Sequence, residues 1–483
     1  MKKARVFVLV LVLLLVAAAC SSDSDDTTTT AAAEAETTTT AAEAETTTTA
    51  AAEPMEIMVD YGVDLEAKTI AIGQLADLTS PAFSALVNPI MAGQEMYWDY
   101  VNANGGIGDG LMVEMETRDT QYDPELTAAA YAEIRDQVVA ISHGTGSVAN
   151  LAIAADLAED SMILVPAAWY SGWTDTNIAP GIVHNGAPYC LESMSLLDWM
   201  AAESGVDGPT LAIASIPGDF GLDSMAGALL WADANDVEIV YDGSGLILPG
   251  QDNTPIGAAI AASGANLVFV TTTPTTFAEV YGTAVASGFE ALWSGAGPTF
   301  NPAFIGPDSP IAAPIQRDWY GGFYIRAWDT ESAGMTLVRQ LYEEAGLDEA
   351  LKDYVTMGVY EAMLVEQALR RAYENGDMTR KGVFDALYSF DSMDFMGIGP
   401  AETYTGTTSD QVQRSISVYR PSQEDLLSGG SGAATVDPDF VGPTAEAVDF
   451  QEACWTFELQ RGWPGLRVRR PSSGDGSDAR SSQ

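Results

Sequence analysis

Residues 139–165, VAISHGTGSVANLAIAADLAEDSMILV, read in order as strand, turn, helix and strand. Residues 139–143 form a short apolar-rich run of strand length. Gly144-Thr145-Gly146-Ser147 is small enough to turn tightly. Residues 148–159 carry helical periodicity, and the apolar run resumes at 163–165. A helix between two such strands is the βαβ unit of a parallel sheet.

The same alternation extends outward. Upstream, residues 69–75 are an apolar run, and 88–102 place Ile90, Gln94, Tyr97 and Val101 on one helical stripe that Gly105-Gly106 ends. Leu111, Val113, Met115 and Thr117 alternate with Glu114, Glu116 and Arg118, the pattern of a strand with one wet face. Pro124 opens a helix expected to run to about residue 138. Downstream, a helix spans 189–204. Strands are expected at 210–215, 237–241 and 267–271, with helices near 222–233, 255–263 and 277–287. Two successive series predict an α/β protein with two doubly wound parallel-sheet lobes and a ligand cleft between them.

The two ends differ from this body. Lys2, Lys3 and Arg5 precede the apolar run 6–16, which ends at Ala17-Ala18-Ala19-Cys20. That run is too short to span a bilayer and has the layout of a secretory signal. It resembles a bacterial lipobox, in which the Cys is lipidated and becomes the mature N-terminus; an ordinary signal peptide cut after Ala19 is the alternative. Residues 21–65 are expected to be a disordered tether, whose Thr, Ala and Glu repeat up to Pro54 holds almost nothing apolar larger than Ala. Its reach as a coil is about 30 Å. Residues 461–483, with Arg467, Arg469 and Arg470 among Pro, Ser, Gly and Asp, read as a disordered tail.

The chain carries 68 acidic against 21 basic side chains, a net charge of -47. Such a balance excludes a nucleic-acid partner, which needs clustered Lys and Arg. Of three Cys, Cys20 is assigned to the anchor, leaving Cys190 and Cys454 as one disulfide in an oxidising compartment or as two buried thiols. The two His, His143 and His184, lie in no metal-binding spacing, and no nucleophile elbow is present. The composition points to a binder, with no cofactor and no metal. A ligand-sensing receptor would need a spanning segment after residue 16, and the sequence holds no apolar run of that length.

Several segments together resemble the type I periplasmic binding proteins of the leucine/isoleucine/valine-binding family. They are Val101-Asn102-Ala103-Asn104-Gly105-Gly106-Ile107, Arg118-Asp119-Thr120-Gln121-Tyr122-Asp123-Pro124, Asp219-Phe220-Gly221 and Tyr360-Glu361-Ala362. The resemblance runs from about residue 69 to 420. It implies lobe 1 at 66–187 plus 326–392 and lobe 2 at 188–325 plus 393–460. Three crossovers would join them, near Ala187, at 324–327 and at 391–396. It also implies capture of an amino acid or related small carboxylate or amide by a monomer, lipid-anchored outside the cytoplasm, for the permease of an ABC importer.

The loop Thr145, Gly146 and Ser147 has small residues and a helix start, which favour an anion. The resemblance assigns it the ligand carboxylate. Ala168 and Trp169 match the family's second carboxylate loop, and Phe220 a ligand-covering aromatic. Phe83 is a first-lobe candidate. Where the family places a Glu for an ammonium, residues 293–298 hold no acid. Thr272-Thr273-Pro274 stands where an aromatic is usual. Asp219 either supplies the missing charge or is a solvated turn residue. Phe220 reads equally as core, and Trp169 as a cap on the lobe surface. The G-x-G-x-x-A spacing of 144–149 also matches a dinucleotide fingerprint, but it follows a later strand and lacks the acid that motif needs.

Overall fold

The computed structural model describes residues 56–175 and 178–456. The signal, Cys20, most of the expected tether and the expected tail lie outside the described residues.

The first lobe is built on β1 (Met58–Val59), β2 (Val63–Asp64), β3 (Thr69–Ala76), β4 (Met112–Asp119), β5 (Ala140–Thr145) and β6 (Leu164–Ala167). Helices α1 (Ser84–Ala103), α2 (Pro124–Ile134), α3 (Ser147–Ala152) and α4 (Ala154–Asp160) connect them. β3 lies between β4 and β5, with β6 outside β5, all parallel. Residues 72–76 of β3 are all buried, as expected for a strand covered on both faces. Asp123 starts α2 by accepting from the backbone of Glu125 and Leu126, with Pro124 at the first helical position.

The second lobe follows with α5 (Tyr189–Ser204), β7 (Thr210–Ser215), α6 (Asp219–Ala234), β8 (Glu238–Gly243), α7 (Thr254–Ser263), β9 (Leu267–Thr271), α8 (Pro274–Ala286) and β10 (Leu292–Ser294). Its strands run in the order β8-β7-β9-β10, all parallel. Both sheets therefore reverse direction between their first and third long strands. Ligand crevices form at the carboxyl ends of strands at such a reversal. Here those ends are Thr145 beside Ala76 in one lobe and Thr271 beside Ser215 in the other.

The remaining elements are α9 (Ala312–Asp318), β11 (Gly321–Phe323), α10 (Ala333–Ala345), α11 (Lys352–Glu374), β12 (Asp377–Met378), α12 (Arg380–Leu387), α13 (Thr408–Gln411), β13 (Ile416–Pro421), α14 (Gln423–Leu427), β14 (Ala433–Phe440) and α15 (Pro443–Ala447). β11, β13 and β14 form a small antiparallel sheet. The chain leaves the first core between Val183 and Ala187, returns by Ile325 and leaves it again between Tyr404 and Val412.

At and beyond the expected third crossover, Met393, Phe395, Ile398 and Tyr404 bury in the same cluster as α1 and α11. The folded body also starts earlier than residue 66. β1 pairs with β12, and β2 pairs with β3, burying Val63. The helix expected at 148–159 is two short helices that meet at Ile153, and α2 stops at Ile134.

Cys190, on α5, is bonded to Cys454 near the described C-terminal end, with their Cα atoms 6.5 Å apart.

One contact sets the spacing of the first lobe. α1 and α11 approach so closely that a Cβ on Gly93 would overlap the Val355 carbonyl oxygen. A Cβ on Gly358 would overlap the Ile90 carbonyl oxygen. Glycine here lets two helix backbones touch. Gly358→Ala must push the helices apart and is expected to cost about 1–3 kcal/mol, the usual scale of overpacking. Urea unfolding of the wild type and variant measures it, and equal midpoints would contradict the close approach.

Candidate functional site

A partly open cavity lies between the two lobes, at the carboxyl ends of β5 and β6. From the first lobe come Phe83, Leu86, Val87 and Ile90 around the start of α1, Tyr122 before α2, Thr145-Gly146-Ser147 after β5 and Ala167-Ala168-Trp169 after β6. From the second come Tyr189, Phe220 and Pro298, while α11 contributes Tyr354 and Met357.

The wall is largely aromatic. The Phe83 ring centre lies 4.9 Å from that of Tyr122 and 6.0 Å from that of Phe220. Tyr189 is 5.0 Å from Phe220 and 5.9 Å from Trp169. These five rings, three from one lobe and two from the other, form a collar that spans the cleft. Rings in such tilted contact favour association beyond the area they bury.

The polar groups are few. Gly146 has φ 85 and lies against the Tyr122 ring, so that a Cβ there would collide with it. Ser147 begins α3, and no side chain caps that helix end. Its hydroxyl bonds the carboxyl of Asp219 across the cleft. Burial pushes Asp219 up to about 6, opposed by that bond and by backbone N–H groups at the start of α6. The Trp169 indole N–H and the Tyr354 hydroxyl, both on the lining, have no partner among the described residues. No Lys or Arg lines the cavity.

Behind the lining, Thr145 Oγ1 sits 2.8 Å from His143 Nε2, and His143 Nδ1 sits 2.8 Å from Glu361 Oε2. His143 is thus more than the strand-end residue that its position suggested.

The cavity gathers Thr145, Gly146, Ser147, Ala168, Trp169, Phe83 and Phe220. Asp219 stands at its rim, buried and bonded rather than solvated. Thr273 is elsewhere: it precedes α8, with its hydroxyl 3.0 Å from that of Thr276. Thr272 also stays off the lining, its N–H directed to Thr299 Oγ1. That loop serves to start α8, and Pro298 takes the place it was expected to fill. Tyr122 was missed, although it lies at the carboxyl end of a parallel strand, where such residues are to be sought. Tyr354 and Met357 were not singled out either; both come from α11, more than 200 residues beyond the Thr145 loop, and no local signal marks them.

Two α/β lobes with a largely apolar cavity between them form a ligand-binding architecture. The periplasmic binding protein family matches residues 69–425, and the chain belongs to it. Its relatives of known structure are substrate-binding proteins rather than enzymes. Membership places the folded body outside the cytoplasm. Among the described residues no helix is long and apolar enough to cross a membrane.

The fold is similar to that of a fatty acid ABC transporter substrate-binding protein from Thermomonospora curvata, with a TM-score of 0.74, 22% identity and coverage of 82% of this chain and 98% of that one. It is also similar to a branched chain amino acid ABC transporter protein from Thermus thermophilus with bound valine, at 0.68 and 19%, covering 79% and 99%. A solute binding protein from R. palustris in complex with 4-hydroxybenzoate gives 0.62 and 18%, covering 79% and 99%. No curated protein matches the chain by sequence.

Burial raises other carboxyls besides Asp219. Asp223 is pushed up to about 7, opposed by Ser171, and Glu402 to about 7, opposed by Tyr360 and Gly186. Glu192 is raised as well. An acid whose folded pKa exceeds its unfolded one keeps its proton longer in the fold. Folding then binds protons between about pH 4 and 7, so stability is highest on the acid side and falls as pH rises through that window. The thermal midpoint is expected to be higher at pH 5 than at pH 7.5, with a shallower slope in Asp223→Asn. A midpoint that rises with pH over that window would contradict this.

Proposed function

We propose that this chain is the capture component of an ABC importer and that its cargo is a small acid with an apolar body, aliphatic or aromatic. The aromatic collar carries the reading. A side of the cavity built from Phe83, Phe220, Tyr189 and Trp169 suits a chain or ring of carbon. The Thr145 hydroxyl and the backbone N–H groups at the uncapped start of α3 suit a carboxylate or amide head.

An α-amino acid is disfavoured. Its ammonium needs a carboxylate, because a buried cation without one is costly. Asp219 is the nearest acid; burial raises it to about 6, which weakens it as a counter-charge, while its Oδ2 is buried without a partner among the described residues. We therefore place a plain acid ahead of the amino acid that the family resemblance implies.

Calorimetry with octanoate, 4-hydroxybenzoate, leucine and valine tests the cargo. The two acids are expected to bind and the two amino acids to bind far more weakly. Thr145→Ala should lose about 1–3 kcal/mol of acid affinity, as when a charged acceptor loses one hydrogen bond. Gly146→Ala should do worse, by displacing Tyr122. Tight leucine binding, with both acids inert, would overturn the reading.

The lipid anchor belongs to the same proposal. Residues 17–20, Ala-Ala-Ala-Cys, and the Thr-rich stretch that follows support attachment through Cys20. Cys20→Ser is expected to release the protein from the membrane fraction and abolish fatty-acid labelling. Retention of both would refute it.

A further inference from the structure

The polarity of the Thr145 hydroxyl, the one side-chain group that joins the cavity to the buried core behind it, follows from counting protons. Its oxygen receives the Asp77 N–H at 3.1 Å and meets His143 Nε2 at 2.8 Å. His143 Nδ1 meets Glu361 Oε2 at 2.8 Å, and that oxygen also accepts from Gln94 Nε2 at 2.8 Å. The Gln94 amide is fixed in orientation, because its oxygen accepts from Gln74 Nε2 and Ser142 Oγ. His143 and Glu361 are both fully buried.

Three proton arrangements are possible. If Glu361 is ionised and His143 neutral, Nε2 is bare and Thr145 must donate to it. That leaves a net negative charge in a dry core, which is costly. If Glu361 carries its proton on Oε1, the pair is neutral and Nε2 is again bare. Oε1, however, has no partner among the described residues, so a buried O–H donor would be wasted. If one proton lies between Oε2 and Nδ1 and another sits on Nε2, the pair is neutral and each of these hydrogens has an acceptor. Imidazolium with carboxylate, or imidazole with carboxylic acid, gives the same result.

Nearby charges do not oppose it. Asp77 directs its carboxylate to Ser80 and the Phe83 N–H, and Tyr324, which faces Glu361, is held neutral.

We infer that His143 and Glu361 are positioning residues that keep a proton on Nε2 of His143, and so make Thr145 an obligate hydrogen-bond donor into the cavity. With two donors already on its oxygen, the hydroxyl has only its own proton left to offer. The ligand head group must then accept. The pair selects carboxylates or carbonyl oxygens over amines without touching the ligand.

The chain has two His, so nitrogen NMR of the full-length protein labelled with 15N-histidine reads the state directly. His184 is pushed down to about 4 by burial and serves as a neutral reference at pH 7. His143→Gln assigns the remaining signals. A proton on Nε2 of His143 at pH 7 is the expected result; a bare Nε2 overturns the inference whatever the cavity binds.

Glu361→Gln is expected to move the proton to Nδ1 and to weaken octanoate binding about tenfold, the scale of one charge-assisted hydrogen bond. Thr145→Val should give the same loss, and the double variant no more than either alone. Additive losses would overturn the inference. The octanoate arm rests on the apolar-acid cargo proposed above. A protonated Nε2 with no acid bound would sink that cargo and leave this inference supported. Should Glu361→Gln fail to fold, the wild-type spectrum decides alone.

Discussion

The close passage of α1 over α11 is the constraint from which the site follows. Gly93 and Gly358 remove the side chains that would hold the two helices at an ordinary distance. With the backbones in contact, the first turns of α1 bring Leu86, Val87 and Ile90 to the cavity, and the start of α11 brings Tyr354 and Met357 to the same wall. Less than two turns farther along α11, Glu361 comes within reach of Gln94 and His143. Apolar lining and polar support are thus two consequences of one backbone contact. Separating the helices by the width of a methyl group would loosen both.

The cavity is also held from the side. Phe83 and Phe220 touch across the cleft, and Ser147 bonds Asp219 over the same gap. Nearby, Asp223 of α6 accepts from the Ser171 N–H at 3.1 Å, Ser171 lying on the chain beyond β6. These links join elements of different lobes. The two acids involved, Asp219 and Asp223, are raised by burial to about 6 and about 7, so these links carry less negative charge than two ordinary carboxylates would.

Legibility in the sequence followed the range of the interactions. β3, β5, β7 and β9 could be read because apolar runs and their turns are local. Thr145, Gly146, Ser147 and Trp169 could be read because they stand at strand ends, where parallel sheets open their crevices. What depends on distant pairing could not. Gln94 and Glu361 are 267 residues apart, and neither looks unusual on its own helix. β1 has two residues and exists only through β12. Residues 393–404 have little regular structure, and only their burial in the first core shows which lobe they serve. Thr273 misled because matching position in a family says nothing of a loop that has taken on another task, here starting α8.

The C-terminal segment changes the mechanics of the hinge. Two bodies joined by three neighbouring strands of chain can swing about an axis through those strands. Here Phe450 buries with the second lobe, while Trp455 buries in the cluster of Tyr170 and Trp173 in the first. The covalent link from Cys454 to Cys190 fastens that strap to the base of α5. A strap with an end in each body is a fourth connection between them, made by a handful of residues that do not line the cavity.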